Sequence, residues 1–165
     1  MEWGIKMDIS LLRTINIFEG LNDDELEKIF RLTKIKTFPE KFVILEEGKR
    51  GGALYVIIKG KVRVAKKVEG RQDKVITALT PQSIFGEMSL FDNLPYSANV
   101  TAVEETRCMV IPKPDLDALL QQDLQLAYKL LTQIITVLSQ RLRNTNEELV
   151  ALTSWKDKLR SAGEK

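Results

Sequence analysis

Between Thr37 and Ile111 the sequence keeps a period of two, and glycines cut it into short runs. Val62 and Val64 alternate with Lys61 and Arg63, as in a strand with one buried and one wet face. Gly48, Gly51, Gly52, Gly60 and Gly70 fall where turns would be. Many short strands punctuated in this way fold as an antiparallel roll or barrel. Helical signals flank them. Asn22 followed by Glu25 forms a variant capping box, and Leu26, Ile29, Phe30 and Leu32 continue at helical spacing, which predicts a helical lead-in over residues 8–35. Pro112 and Pro114 end the strands; Pro114 suits the first turn of a short helix over 115–120, and Asp123 is placed to cap a longer one. The fold class is therefore mainly β with flanking helices.

At 165 residues the chain has room for one domain with a real core, expected over 1–152, with a charged tail over 153–165. A formal net charge of +2 gives no reason to expect nucleic acid or an anionic membrane as partner. Cys108 lies in an apolar run and reads as a buried small hydrophobe in a reducing compartment. No apolar run reaches membrane-spanning length and no signal-peptide profile opens the chain, so a cytoplasmic protein is expected.

Enzymatic readings are weak. Without histidine the chain lacks the commonest general base, and one cysteine excludes a Cys-rich metal site. Gly60-Lys61 fails as a P-loop, because Tyr55 stands where the earlier glycine belongs and Val62 replaces the Ser/Thr. Asp23, Asp24, Glu25 and Glu27 favour a helix dipole, and Glu46-Glu47 reads as a solvated turn. Neither a catalytic residue, a metal nor a cofactor is expected.

The chemistry concentrates in Phe85-Gly86-Glu87-Met88-Ser89-Leu90 and in Pro95-Tyr96-Ser97-Ala98. Gly86 opens backbone angles closed to other residues, and residues 87–91 can form one helical turn with free N–H groups. Glu87 offers acceptors to a sugar hydroxyl and Ser97 a donor to a phosphate oxygen. Together with Glu47-Gly48, with 54–58 and with Gly60-Lys61-Val62, these residues resemble the cyclic-nucleotide-binding domains of the bacterial catabolite activator protein and of the protein kinase A regulatory subunit. The resemblance spans about residues 10 to 150 and implies a double-stranded β-roll with a phosphate-binding cassette. Gly86, Glu87, Met88, Ser89, Tyr96, Ser97 and Ala98 would form its pocket, Glu87 taking the ribose. Two positions depart from the pattern: Tyr96 stands where the family has an arginine, and Gln82 replaces a turn glycine. Exchanging a charged contact for a neutral one costs roughly 1–3 kcal/mol, or tenfold to a hundredfold in affinity.

The long helix carries heptads. Tyr128, Ile135, Leu142 and Leu149 occupy one seam position, and Leu124, Leu131, Leu138, Thr145 and Leu152 the other. This predicts a homodimer through that helix, as the resemblance also implies, with Arg141 on the flank facing Asn146 of a second copy. Three function classes follow. The chain is a sensor of cyclic AMP, cyclic GMP or a related small anion, bound weakly and signalled through the long helix. Alternatively it is a degenerate fold serving as a dimerisation or docking scaffold. A DNA-binding regulator fits least, since too few residues follow Leu152 for a helix-turn-helix unit.

Overall fold

The computed structural model describes residues 9–70 and 72–163, with side chains as far as Lys156. Helix α1 (Ile9–Arg13), a 3-10 turn (Asn16–Phe18) and α2 (Asp23–Leu32) form the lead-in. The capping box closes as expected: the Glu25 N–H donates to Asn22 Oδ1 at 2.9 Å, and the Asn22 N–H donates to Glu25 Oε2 at 2.7 Å. The lead-in ends at Leu32 rather than at residue 35, because Lys34 already pairs with Val110 across a strand ladder.

Among the described residues eight strands follow: β1 (Lys34–Phe38), β2 (Val43–Leu45), β3 (Ala53–Lys59), β4 (Val62–Lys66), β5 (Lys74–Leu79), β6 (Ile84–Phe85), β7 (Asn99–Ala102) and β8 (Thr106–Pro112). They pair antiparallel in two four-stranded sheets, ordered β1-β8-β3-β6 and β2-β7-β4-β5. Helix α3 (Glu87–Phe91) interrupts them between β6 and β7. The sheets enclose one core of Leu45, Ala53, Ile57, Val62, Phe85, Val100, Cys108 and Val110. Burial pushes the Cys108 thiol up to about 12, so it stays a neutral apolar filler. A second core lies outside the first sheet, where Leu54, Val56, Ile84, Met109 and Ile111 meet the helices. Strand β3 supplies alternate residues to both cores, which is why its sequence is almost continuously apolar.

Helix α4 (Lys113–Gln122) carries Pro114 in its first turn, and α5 runs from Leu124 to Gly163. Asp123 caps α5, accepting from the Leu126 N–H at 3.0 Å. The helix does not stop at the expected 152: residues 153–163 continue it, since no glycine or proline occurs between Leu124 and Gly163. Leu126, Ala127, Leu130 and Ile134 are buried against the lead-in, with Val137 and Leu138 packed beside them. Each fully buried aliphatic side chain contributes about 1.5–3 kcal/mol, enough to fix this part of the helix. The opposite face keeps Leu124, Tyr128, Ile135, Leu142 and Leu149 exposed, each by 58% or more. The expected seam is thus corrected at Leu138. Leu131 is half-buried, and Leu138 packs on its own core because the docked face reaches that far round the helix.

Candidate ligand-binding site

Gly86 opens α3 at φ 80°, ψ 0°, and a Cβ there would come within 2.8 Å of the Ala53 carbonyl oxygen and 3.2 Å of the Tyr55 ring. Both the left-handed backbone and the close approach require glycine. Behind it, the Phe85 ring stacks on Tyr55 with centroids 4.8 Å apart. Ser89 is buried and its hydroxyl donates to the Gly86 carbonyl at 3.1 Å. Lys113 donates to the Leu90 carbonyl and pairs with Asp117 at 3.0 Å, tethering the end of α3 to α4.

Glu87 is only 4% exposed. Arg141, reaching in from α5, donates from Nη1 to its Oε1 at 2.6 Å and from Nη2 to the Ile84 carbonyl. This corrects the placement of Arg141 on a dimer flank: a buried carboxylate draws the guanidinium inward, where two acceptors satisfy it. Burial pushes the Glu87 carboxyl above its usual value, against the opposing pull of Arg141 and of its own backbone N–H.

The second limb is arranged differently. The Tyr96 N–H donates to the Lys49 carbonyl, and its own carbonyl accepts from the Gly48 N–H, both at 2.9 Å. Its half-buried ring packs on the roll core and lies so close to Gly51 that a Cβ there would fall 1.8 Å from Cζ. The Gly52 N–H and the Tyr55 hydroxyl face the Tyr96 oxygen. Burial raises the Tyr96 phenol and raises that of Tyr55 to about 12, so both stay neutral. Ser97 is exposed, its hydroxyl 3.8 Å from the Met88 sulfur, while Ala98 is buried. Lys66 donates to the Ser97 carbonyl at 2.9 Å and pairs with Glu47 at 3.0 Å.

Gly86, Glu87, Met88 and Ser89 therefore share one short helix that Ser97 meets through Met88, while Ala98 is buried. Tyr96 is close by, but its hydroxyl is turned to Gly52 and Tyr55. Sequence reasoning did not assign Arg141, Lys66 or Tyr55 to the site. For Arg141 a signal existed, since it continues the inward spacing of Leu130, Ile134 and Leu138. Among the described residues no group of His, Cys, Asp and Glu could hold a metal ion, and no helix is long and apolar enough to cross a membrane.

Residues 35–123 match the family model described as the cyclic nucleotide-binding domain. The chain belongs to the cyclic nucleotide-binding domain family. It is 28% identical over 86% of its length to a CRP-like cAMP-activated global transcriptional regulator of Mycobacterium tuberculosis. Among solved structures, the catabolite activator protein of Thermus thermophilus superposes on 84% of the chain, at 30% identity and a TM-score of 0.72. A cyclic nucleotide-binding domain from Methylobacillus flagellatus superposes on 86% of this chain and 80% of its own, at 25% identity and a TM-score of 0.77. The chain spans 62% of the M. tuberculosis regulator and 63% of the T. thermophilus protein. As a cyclic nucleotide-binding domain it has the expected β-roll, with the cassette helix α3 set between β6 and β7.

Proposed function

We propose that this domain is a regulatory module that senses a cyclic nucleotide, cyclic AMP or cyclic GMP, or a related small anion, and signals through α5. The observation that carries this reading is the Glu87–Arg141 contact. It ties the buried acceptor of the cassette directly to the long helix. A sugar hydroxyl arriving at Glu87 alters the partner set of Arg141, and hence the relative free energy of helix positions. The neutral Tyr96 makes the site weaker than one with an arginine, by roughly tenfold to a hundredfold.

Calorimetry with cyclic AMP and cyclic GMP tests this. The unmodified protein is expected to bind with micromolar or weaker affinity, and Tyr96→Arg to gain about tenfold. In the Tyr96→Arg background, Glu87→Ala should then lose affinity. Absence of binding by both the unmodified protein and Tyr96→Arg would instead favour a scaffold without nucleotide.

The exposed stripe of Leu124, Tyr128, Ile135, Leu142 and Leu149 continues through Val150, Leu152 and Trp155, and supports a second reading, that two copies pair along α5. Light scattering at tens of micromolar should give a dimer, and replacing Leu142 and Leu149 by Glu should give a folded monomer. A monomeric unmodified protein would remove the dimer.

A further inference from the structure

We propose that Lys66 supplies the charge for the ligand's phosphate that Tyr96 does not, binding the anion from the β4 side of the cassette. This rests on the ligand-sensing reading above and adds a residue to it. Ala65 pairs with Asn99 across the antiparallel β4–β7 ladder, which leads the end of β4 toward Ala98 and leaves the long Lys66 side chain able to reach the neighbouring Ser97. There the Lys66 ammonium donates to the Ser97 carbonyl at 2.9 Å and pairs with Glu47 Oε1 at 3.0 Å.

Glu47 is itself fixed. Its other oxygen accepts from the Lys67 N–H at 2.8 Å, and its own N–H donates to Asn99 Oδ1 at 2.8 Å. Asn99 is buried and donates in turn to Asp73 at 3.1 Å. The lysine is thus held at the residue whose hydroxyl serves the phosphate, by a counter-charge that the Lys67 N–H and the Asn99 side chain keep in place. Its side chain is 56% exposed, so the ammonium can exchange a main-chain acceptor for an anionic one without being dragged from a buried site.

Four other cations have partners of their own. Arg141 serves Glu87 and Ile84, Lys113 serves Leu90 and Asp117, and Lys49 and Lys67 pair with Glu46. Arg50, exposed in the β2–β3 turn, is the competing candidate.

The experiment is calorimetric titration with cyclic AMP at low and high salt, for the unmodified protein, Lys66→Met, Lys66→Arg, Lys67→Met, Arg50→Met and Tyr96→Arg, each first shown by circular dichroism to melt like the unmodified protein. Lys66→Met should weaken binding about tenfold and flatten its salt dependence, because an exposed charge contact is screened. Lys66→Arg should keep both, and Lys67→Met and Arg50→Met should stay within about twofold of the unmodified protein. Unchanged affinity in Lys66→Met, or the larger loss in Arg50→Met, overturns the proposal and leaves the sensing role standing. If the unmodified protein fails to bind but Tyr96→Arg binds, the cassette works and Lys66 does not supply its charge. If neither binds, the sensing role falls together with Lys66.

Discussion

Glu25 and Glu87 are both carboxylates only 4% exposed, and each is tied to a cation of α5, yet they are held in opposite ways. Glu25 receives the Lys129 ammonium on both oxygens, at 2.8 and 3.0 Å, and the Asn22 N–H at 2.7 Å. Burial pushes its carboxyl up, but Lys129 and the Asn22 N–H outweigh burial and the group titrates below 4.5. Glu87 has one 2.6 Å contact to a guanidinium that also serves Ile84, and there burial wins, raising the carboxyl. The first carboxylate is held in its ionised form and pins the start of α5 to the lead-in. The second is held by a partner it can exchange, as the proposed sensing role requires.

The largest effect should come from breaking the Glu25–Lys129 clamp. Lys129→Met leaves a buried charge with a single strong donor. Breaking a buried pair costs about 3–5 kcal/mol, which we reduce to roughly 2–3 because Lys129 keeps some solvent contact. Arg141→Met should cost less, roughly 1–2 kcal/mol, because Arg141 is one-third exposed and Glu87 can take up a proton once its partner is gone. Urea unfolding of both variants at neutral pH decides the order; an equal or larger loss in Arg141→Met would break the comparison.

A smaller, pH-dependent effect follows from the two directions of shift. Glu25, lowered when folded, contributes stability that is present above 4.5 and lost as pH falls through its folded value. Glu87, raised when folded, contributes in the opposite sense: folding favours its protonated form, and that contribution disappears as pH rises from 4.5 through its folded value. Glu25→Gln should therefore flatten the loss of stability below the usual glutamate value. Glu87→Gln should flatten the decline above it. Urea midpoints measured from about pH 3 to pH 7 read both slopes; slopes of the same sign for the two variants would show that the carboxylates are held alike.

Much of this was legible in the chain. The Asn22–Glu25 spacing gave the helix start, the glycines and alternating runs gave the roll, and Gly86 marked the turn into α3, because each of these depends on neighbours close in sequence. What the chain concealed depends on distance and rotation. Arg141 lies 54 residues from Glu87, and only the docking of Leu130, Ile134 and Leu138 turns it inward rather than toward a second copy. The position of Lys66 beside Ser97 depends on the β4–β7 register, and the Tyr96 ring on the vacancy at Gly51. The helix after Leu152 has a charged composition that resembles a tail, and only the absence of any breaker before Gly163 marks its continuation.

The smallest effect sharpens the comparison by testing whether backbone strain near Glu87, rather than its partners, weakens that clamp. Gln82 stands at φ 73°, two residues before Ile84, whose carbonyl is the second acceptor for Arg141. Its N–H donates to the Ile57 carbonyl at 2.9 Å, and the Ser83 N–H closes a turn on the Thr80 carbonyl at 3.1 Å. Pro81 before it suits a type II turn, whose third position calls for glycine. A side chain in the left-handed region costs about 1 kcal/mol, partly offset by the freedom glycine gains in the unfolded chain. Gln82→Gly should thus stabilise by about 0.5 kcal/mol. Measured by urea unfolding, this gain should be the same in the unmodified protein and in Arg141→Met, to within about 0.5 kcal/mol. A markedly larger gain in the intact protein would mean that the turn strains the Arg141 contact, and that the weakness of the second clamp lies in the backbone rather than in its partners.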